Sequence, residues 1–415
     1  MWIKNARIFC EDGRFRLGSL RMETGRVQTL RLASEGWYFE ELGEEQAPEE
    51  DAPSPASFEG EQQEGEDCLD ACGGLLIPGL IDLHFHGCLG EDVCDGKLEG
   101  MRRIARYEAE NGITAICPAT LTLPEEELCQ VLHTMSEWRR MQEPEEAELV
   151  GINMEGPFIS KAKKGAQNGA YIRRCDVGTA RRFLEASGGL VKLIGIAPEV
   201  NPGFEDYIRE ISSELRVSLA HSNADYETAG RAFRAGAVHV VHLYNAMTGL
   251  SHRAPGAVGA VFENPAVTAE LITDGVHIHP MMVRLAFRQL GQERAILISD
   301  SLRSAGMPDG RYLLGGQEIE KRGKLCTLVP DGNIAGSVSN LMDCFRTAVL
   351  EMEIPFADAL LAASRNPARR LGIEDAHGTI CEGKLANLVL LDQTLRIRRV
   401  FREGREVRGE NSKNV

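Results

Sequence analysis

No apolar run in this chain reaches the roughly 18–20 residues that cross a bilayer. The first residues, MWIKNARIFCEDGR, hold no signal-peptide h-region and no small-residue cleavage site. Both absences point to a cytoplasmic location with no membrane partner. No C-x-x-C pair occurs among the 11 cysteines. An odd, scattered set suits free, mostly buried thiols in a reducing compartment. Cys68/Cys72 and Cys88/Cys94 are too irregularly spaced to favour a soft-metal site. No basic stripe stands out, which argues against nucleic acid as a partner. Lys and Arg are missing altogether from residues 40–67, which carry twelve Asp and Glu. The formal net charge is −16, so setting those twelve aside leaves the rest of the chain at about −4. That segment is Pro/Gly/Glu-rich with almost nothing to bury, and it reads as a solvated acidic loop.

What is present is enough apolar material for a full core, 43% of 415 residues. The length suits a barrel of about 250 residues plus an accessory domain. From residue 78 onward, short β-rich runs alternate with amphipathic helical stretches. The runs are LIDLHFH (80–86), ITAICPAT (113–120), ELVGINME (148–155), KLIGIAPE (192–199), RVSLAHSN (216–223), HVVHLYN (239–245), VTAELITDG (267–275) and AILISDS (295–301). Gly112 and Gly236 stand where glycine ends a helix. Eight such alternations predict an α/β fold, a parallel (β/α)8 TIM-like barrel over 78–377. Residues 1–32 and 379–407 read instead as short alternating strands. Neither end has enough core alone. They are expected to pair into one small β-sandwich domain, 1–77 with 378–415, carrying the acidic loop at its surface.

The run LIDLHFH ends on two histidines two residues apart. In a strand, residues i and i+2 share a face, so His84 and His86 are expected to project side by side. Two histidines satisfied by backbone partners would give the same pattern, but other runs end on similar groups. Glu155 closes the third run, His221 lies in the fifth, His242 in the sixth and Asp300 in the eighth. Barrel enzymes assemble their active sites at the C-terminal ends of different strands. Histidines that merely satisfy a core have no reason to share one end. The set suits a divalent ion such as Zn, Fe or Mn. Such a site binds water and lowers its pKa towards neutrality, and a nearby carboxylate, Asp300, can move the proton. The expected reaction is metal-assisted hydrolysis of a C–N or C–O bond.

PGLIDLHFHG, MEGPFI, AHSNADY, HLYNAM, DGVHIHP, ISDS and IAGSVSNLMDCFRTAV follow one another as in the N-acetylglucosamine-6-phosphate deacetylase family of the amidohydrolase superfamily. GKLANLVLLD resembles the superfamily's C-terminal strand entry. The resemblance runs from about residue 70 to 400. MEGPF with HSN and HLYNAM separates this family from dihydroorotases and ureases, many of which carry a bridging lysine where this chain has Glu155.

The resemblance implies Glu155, His221 and His242 as metal ligands and Asp300 as the general base and acid. His84 and His86 match an H-x-H pair that supports a second metal in some members, so one or two ions per subunit are implied. It implies deacetylation of N-acetylglucosamine 6-phosphate, with the sugar phosphate held by Asn245 and Ala246 and with His277 near the substrate. It also implies an arginine, Arg253, reaching the neighbouring subunit's site in a homodimer; a planar guanidinium suits a phosphate dianion. His279 has no such match and reads as structural. Some members place histidine near the acetyl group within KKGxH, where this chain has Gln167, which can donate to a carbonyl but carries no charge. The sequence leaves open N-acetylgalactosamine 6-phosphate as substrate, and a dipeptidase or cyclic amidase of the same superfamily. A non-enzymatic scaffold using the acidic loop is opposed by the complete ligand set.

Overall fold

The eight expected runs each form a strand. They are Leu80–Asp82, Ile113–Ile116, Ile152–Phe158, Val191–Ile196, Arg216–Leu219, His239–Val240, Thr268–Ile272 and Ala295–Ile298. The coordinates are a computed structural model describing residues 1–42 and 67–409. Most of the acidic loop, residues 43–66, lies outside the described residues, as do 410–415. The eight strands are almost wholly buried, which only near-continuous apolar sequence permits in a sheet covered on both faces. Pairing is parallel from the first strand to the eighth. The second and third strands pair in two pieces. Ile113–Ile116 runs beside Glu148–Leu149, and beyond Pro118 the short strand Ala119–Thr120 runs beside Ile152–Phe158. Proline lacks the N–H a ladder needs, and its carbonyl instead accepts Asn153 N at 2.9 Å.

Past the strand ends, the first and eighth segments meet: Asp300 N donates to His84 O (2.9 Å) and His86 N to Ser301 O (2.8 Å). Those bonds bring both ends of the strand series to one place. Inside, Ile81, Ala115, Leu193, Ile272, Ile296 and Ile298 pack with Ala368 and Leu371 from the helix Arg365–Leu371. The connecting helices behave as their sequences dictate. Leu98–Glu110 buries Met101, Ile104 and Ala105 and turns out of the helix at Gly112, whose φ of +83° suits glycine. Burying a side chain such as Ile104 contributes about 1.5–3 kcal/mol. Asp225 caps Tyr226–Ala235 by accepting Thr228 N at 2.8 Å, and Gly236 ends it.

Both chain ends join one eight-stranded sheet. Leu75–Pro78 is the seam: it lies parallel to Trp2–Phe9 and antiparallel to Leu388–Leu391. Alternation gives the seam two buried faces. Leu76 packs with Ile3, Ile8, Leu388, Leu390 and Phe401. Leu75 and Ile77 pack with Phe9, Phe15, Val389 and Leu391 in the large core that also holds the barrel helices. The described strands thus form one sheet fused to the barrel core on one face.

A three-stranded antiparallel sheet was not foreseen. Gly310–Leu314, Gln317–Arg322 and Leu325–Leu328 follow the eighth strand. Leu314, Ile319, Cys326 and Leu328 pack on Leu121 and Leu302, the segments just beyond the second and eighth strands. This small sheet therefore lies against the same end of the barrel that carries the histidines.

Candidate active site

The first strand stops at Asp82, so His84 and His86 lie just beyond it and not within it. Asp82 explains the bend, because its Oδ1 accepts the His84 N–H at 3.2 Å. His221, His242 and Asp300 also fall two residues past their strands. Glu155 differs: it sits inside Ile152–Phe158, one turn of the pleat deeper than the run ending at 155 suggested. His221, His242 and Asp300 have φ of +44°, +27° and +49°. Non-glycine residues in this region cost of order 1–3 kcal/mol, and such strain gathers at functional sites. Here the surroundings hold it: Ser160 N donates to His221 O, His242 N to Glu270 Oε2 and Asp300 N to His84 O, at 2.9–3.0 Å.

These six side chains converge. Glu155 Oε1 lies 2.8 Å from Nε2 of both His221 and His242 and 3.4 Å from Nε2 of His84. Glu155 Oε2 lies 3.5 Å from His86 Nε2. Asp300 Oδ1 is 3.4 Å from His86 Nε2 and 3.7 Å from His84 Nε2. All six are buried.

The outer nitrogens fix the tautomers. Nδ1 of His86, His221 and His242 faces the carbonyls of Ala119, Lys163 and Asn245 at 2.8–3.1 Å. A carbonyl only accepts, so each Nδ1 carries a hydrogen. His84 Nδ1 faces the Glu270 carboxylate at 2.8 Å. Every Nε2 therefore turns inward. In neutral rings those are lone pairs aimed at carboxylate oxygens, an arrangement that calls for a cation in the middle. His84 Nε2 is buried without a hydrogen-bond partner. Among the described residues, two groups have ligand atoms close enough to share an ion: His84, Glu155 and His242, and His84, His86 and Asp300. The residues fit a divalent ion at either position.

The electrostatics show the same demand for positive charge between these groups. Burial opposes charge on Glu155, but His221 and His84 outweigh it and hold its pKa well below the usual carboxylate range. Burial likewise opposes charge on His84, yet Glu270 and Glu155 raise its pKa well above the usual value.

Sequence reasoning missed Glu270. It is fully buried in the seventh strand and accepts from His84 Nδ1 (2.8 Å), His239 Nε2 (2.9 Å) and His242 N (3.0 Å). Burial alone would raise its pKa, but His84 and His239 bring it down to about 2. A charged residue inside the apolar run VTAELITDG was the available signal, since buried acids occur almost only when paired.

The remaining sequence-predicted residues fall around this ring. Gln167 is buried and touches it: Nε2 donates to Glu155 Oε2 (2.5 Å) while Oε1 accepts Thr122 N (2.7 Å). Asn245 contributes its carbonyl to His242, and its side chain donates back to Leu243 O. Ala246 next to it adopts φ +50°. His277 is held by Asp274, through Nδ1 (2.8 Å) and through its backbone N–H (3.0 Å). Arg253 is exposed, without an ion pair or hydrogen bond among the described residues. His279 caps Pro280–Arg294, its Nδ1 accepting Met281 N at 3.2 Å.

A model of the amidohydrolase family matches residues 75–407. N-acetylglucosamine-6-phosphate deacetylase of Bacillus subtilis is 37% identical over 320 residues, 76% of this chain and 80% of that protein. N-acetylgalactosamine-6-phosphate deacetylase of Escherichia coli O157:H7 is 34% identical over 331 residues, 80% of this chain and 87% of that one. Among solved structures, N-acetyl-D-glucosamine-6-phosphate deacetylase of Mycobacterium smegmatis, in complex with N-acetyl-D-glucosamine-6-phosphate, superposes with a TM-score of 0.85 at 28% identity. That match covers 98% of this chain and 99% of the other.

Proposed function

The chain belongs to the amidohydrolase family, and within it we propose that it hydrolyses N-acetyl-D-glucosamine 6-phosphate to D-glucosamine 6-phosphate and acetate. The observation that carries this reading is the inward ring of four Nε2 atoms around Glu155 with Asp300 on its edge, in a chain whose curated relatives bear that activity's name. Glu155, His221 and His242 would hold one divalent ion, and His84 and His86 a second beside it. A bound ion of this kind polarises a carbonyl and makes water acidic near neutral pH.

The chain's own residues do the rest. Asp300, with Oδ1 turned to the ring, takes the proton from the attacking water and returns it to the leaving nitrogen. Gln167 spends one amide hydrogen on Glu155 and has a second to offer the acetyl oxygen. His277, whose Nδ1–H is committed to Asp274, presents Nε2 as an acceptor for a sugar hydroxyl. Asn245 and Ala246 form the near wall for the phosphate. The exposed Arg253 is free to reach it across a homodimer. In the same reading, residues 1–77 and 378–415 make one small β-domain beside the barrel, 78–377, its described strands a single sheet and not the expected sandwich, and the protein works in the cytoplasm. Among the described residues, no helix is long and apolar enough to cross a membrane.

The galacto epimer is a second reading, favoured by the Escherichia coli relative at 34% identity. Acetate release is measured from N-acetylglucosamine 6-phosphate, N-acetylgalactosamine 6-phosphate and unphosphorylated N-acetylglucosamine, for wild type and Asp300→Asn. Turnover of the first substrate, with a loss of about 10²–10⁴-fold in the variant, supports the assignment. Preference for the second would move the specificity and keep the chemistry. No release from either phosphate by metal-replete protein would end the amino-sugar assignment.

A further inference from the structure

The two oxygens of Glu155 have different neighbours. Oε1 faces His221, His242 and His84; Oε2 faces His86 at 3.5 Å and receives the Gln167 amide at 2.5 Å. We propose that Gln167 is a positioning residue that makes the two ion positions unequal. It reserves Glu155 Oε1 for the ion at His221 and His242 and competes for Oε2 with an ion at His84, His86 and Asp300. The inference rests on reading these residues as an ion site.

Three observations carry it. First, the Gln167 amide cannot be turned over. Its Oε1 accepts Thr122 N at 2.7 Å, so the nitrogen must be the atom that meets Glu155. An amide nitrogen donates and offers no lone pair, so it can only compete with an ion for Oε2. Second, a carboxylate oxygen has about two acceptor sites. One of those on Oε2 is taken, and an ion bridging through Oε2 would have to use the other while keeping the carboxylate plane that Gln167 sets. Third, Gln167 is itself anchored from outside the barrel. Its backbone N–H donates to Lys164 O at 2.9 Å, and the preceding carbonyl, Ala166 O, accepts from Gln317 Nε2 at 2.5 Å. Gln317 opens the middle strand of the three-stranded sheet. The small sheet thus reaches the ion ligand through Gln317, Ala166 and Gln167.

The experiment uses the full-length protein stripped with a chelator and titrated with Co²⁺. Visible absorption follows each ion as it binds, and metal analysis gives the stoichiometry. Wild type is expected to take a first ion tightly and a second far more weakly. Gln167→Met keeps the volume and removes the donor. It should loosen the first ion about tenfold, the low end of what losing a ligand's outer partner costs. Because Oε2 is freed, it should also tighten the second, so that the ratio of the two constants falls by more than tenfold. Gln317→Met should shift that ratio the same way by less. Equal loosening of both ions would mean that Gln167 merely supports the loop, and would overturn the inference. So would an unchanged ratio in a variant that melts like wild type. Wild type that takes up no Co²⁺ would overturn the ion reading itself, which is a different failure.

Discussion

Replacing Glu270 by Gln tests whether a residue that touches no substrate sets the grip on the metal. The carboxylate accepts three N–H groups: His84 Nδ1 and His242 N on Oε2, and His239 Nε2 on Oε1. The Gln oxygen can take the Oε2 position and keep the first two. Its NH₂ then faces His239. That ring can reverse its tautomer, because its Nδ1 partner is the Thr268 hydroxyl at 2.6 Å, which donates as readily as it accepts. The fold is therefore expected to survive. What is lost is charge. A hydrogen bond to a charged group is worth about 1.5–3 kcal/mol, against about 0.5–1.5 for a neutral one. Losing about 1–1.5 kcal/mol at His84 corresponds to roughly tenfold in metal affinity, within the 10–100-fold range for outer partners of a ligand. Chelator competition reads the affinity directly, and turnover is expected to recover when excess metal is supplied. An unchanged metal affinity in folded Glu270→Gln would refute the argument that Glu270 braces His84. Glu270→Leu is expected to go further and destabilise the protein, because three buried donors would lose their acceptor at about 1–3 kcal/mol each.

Other expectations follow from the same geometry. Arg253→Ala should raise KM for the phosphorylated substrate by about 10–100-fold with little change in kcat, the mark of lost binding that is equal in ground and transition states; an unchanged KM would remove Arg253 from the phosphate site. Gly156→Ala should lower the melting temperature, because its β-carbon would lie 2.1 Å from Thr122 Oγ1. Overpacking of that kind costs typically about 1–3 kcal/mol, and a wild-type melting curve would count against it. Stripping the metal with a chelator should abolish acetate release and lower the melting temperature, since an ion that binds only the folded state stabilises it. Restoring Zn²⁺ or Co²⁺ should reverse both changes.

The barrel was legible because each strand is covered on both sides. The sequence must then be apolar along its whole length, and a polar residue at the run's end stands out, as His84, His221, His242 and Asp300 do. The exact strand ends were less visible. The bend after Asp82 depends on a side chain accepting a nearby N–H, which an apolar pattern does not report. Glu270 escaped because its meaning lies in partners 31 and 186 residues away. Read alone, it is one acid in an apolar strand. The sheet from Gly310 to Leu328 escaped for another reason: it lies after the last barrel repeat, and its signal is only LLGGQE, a glycine pair between alternating runs that suits a hairpin. The resemblance to a known family supplied the roles proposed for Arg253, Asn245 and His277, which spacing alone does not give.

The seam Leu75–Pro78 is zipped between the two ends of the chain, and only Gly79 separates it from the strand that leads to His84 and His86. The catalytic barrel is consequently not a separable cassette. Trimming the C-terminal strands would strip Leu388–Leu391 from one edge of the seam and fray the segment that aims two of the four imidazoles. The termini, far from the chemistry in sequence, act as the clamp that keeps its first strand in tune.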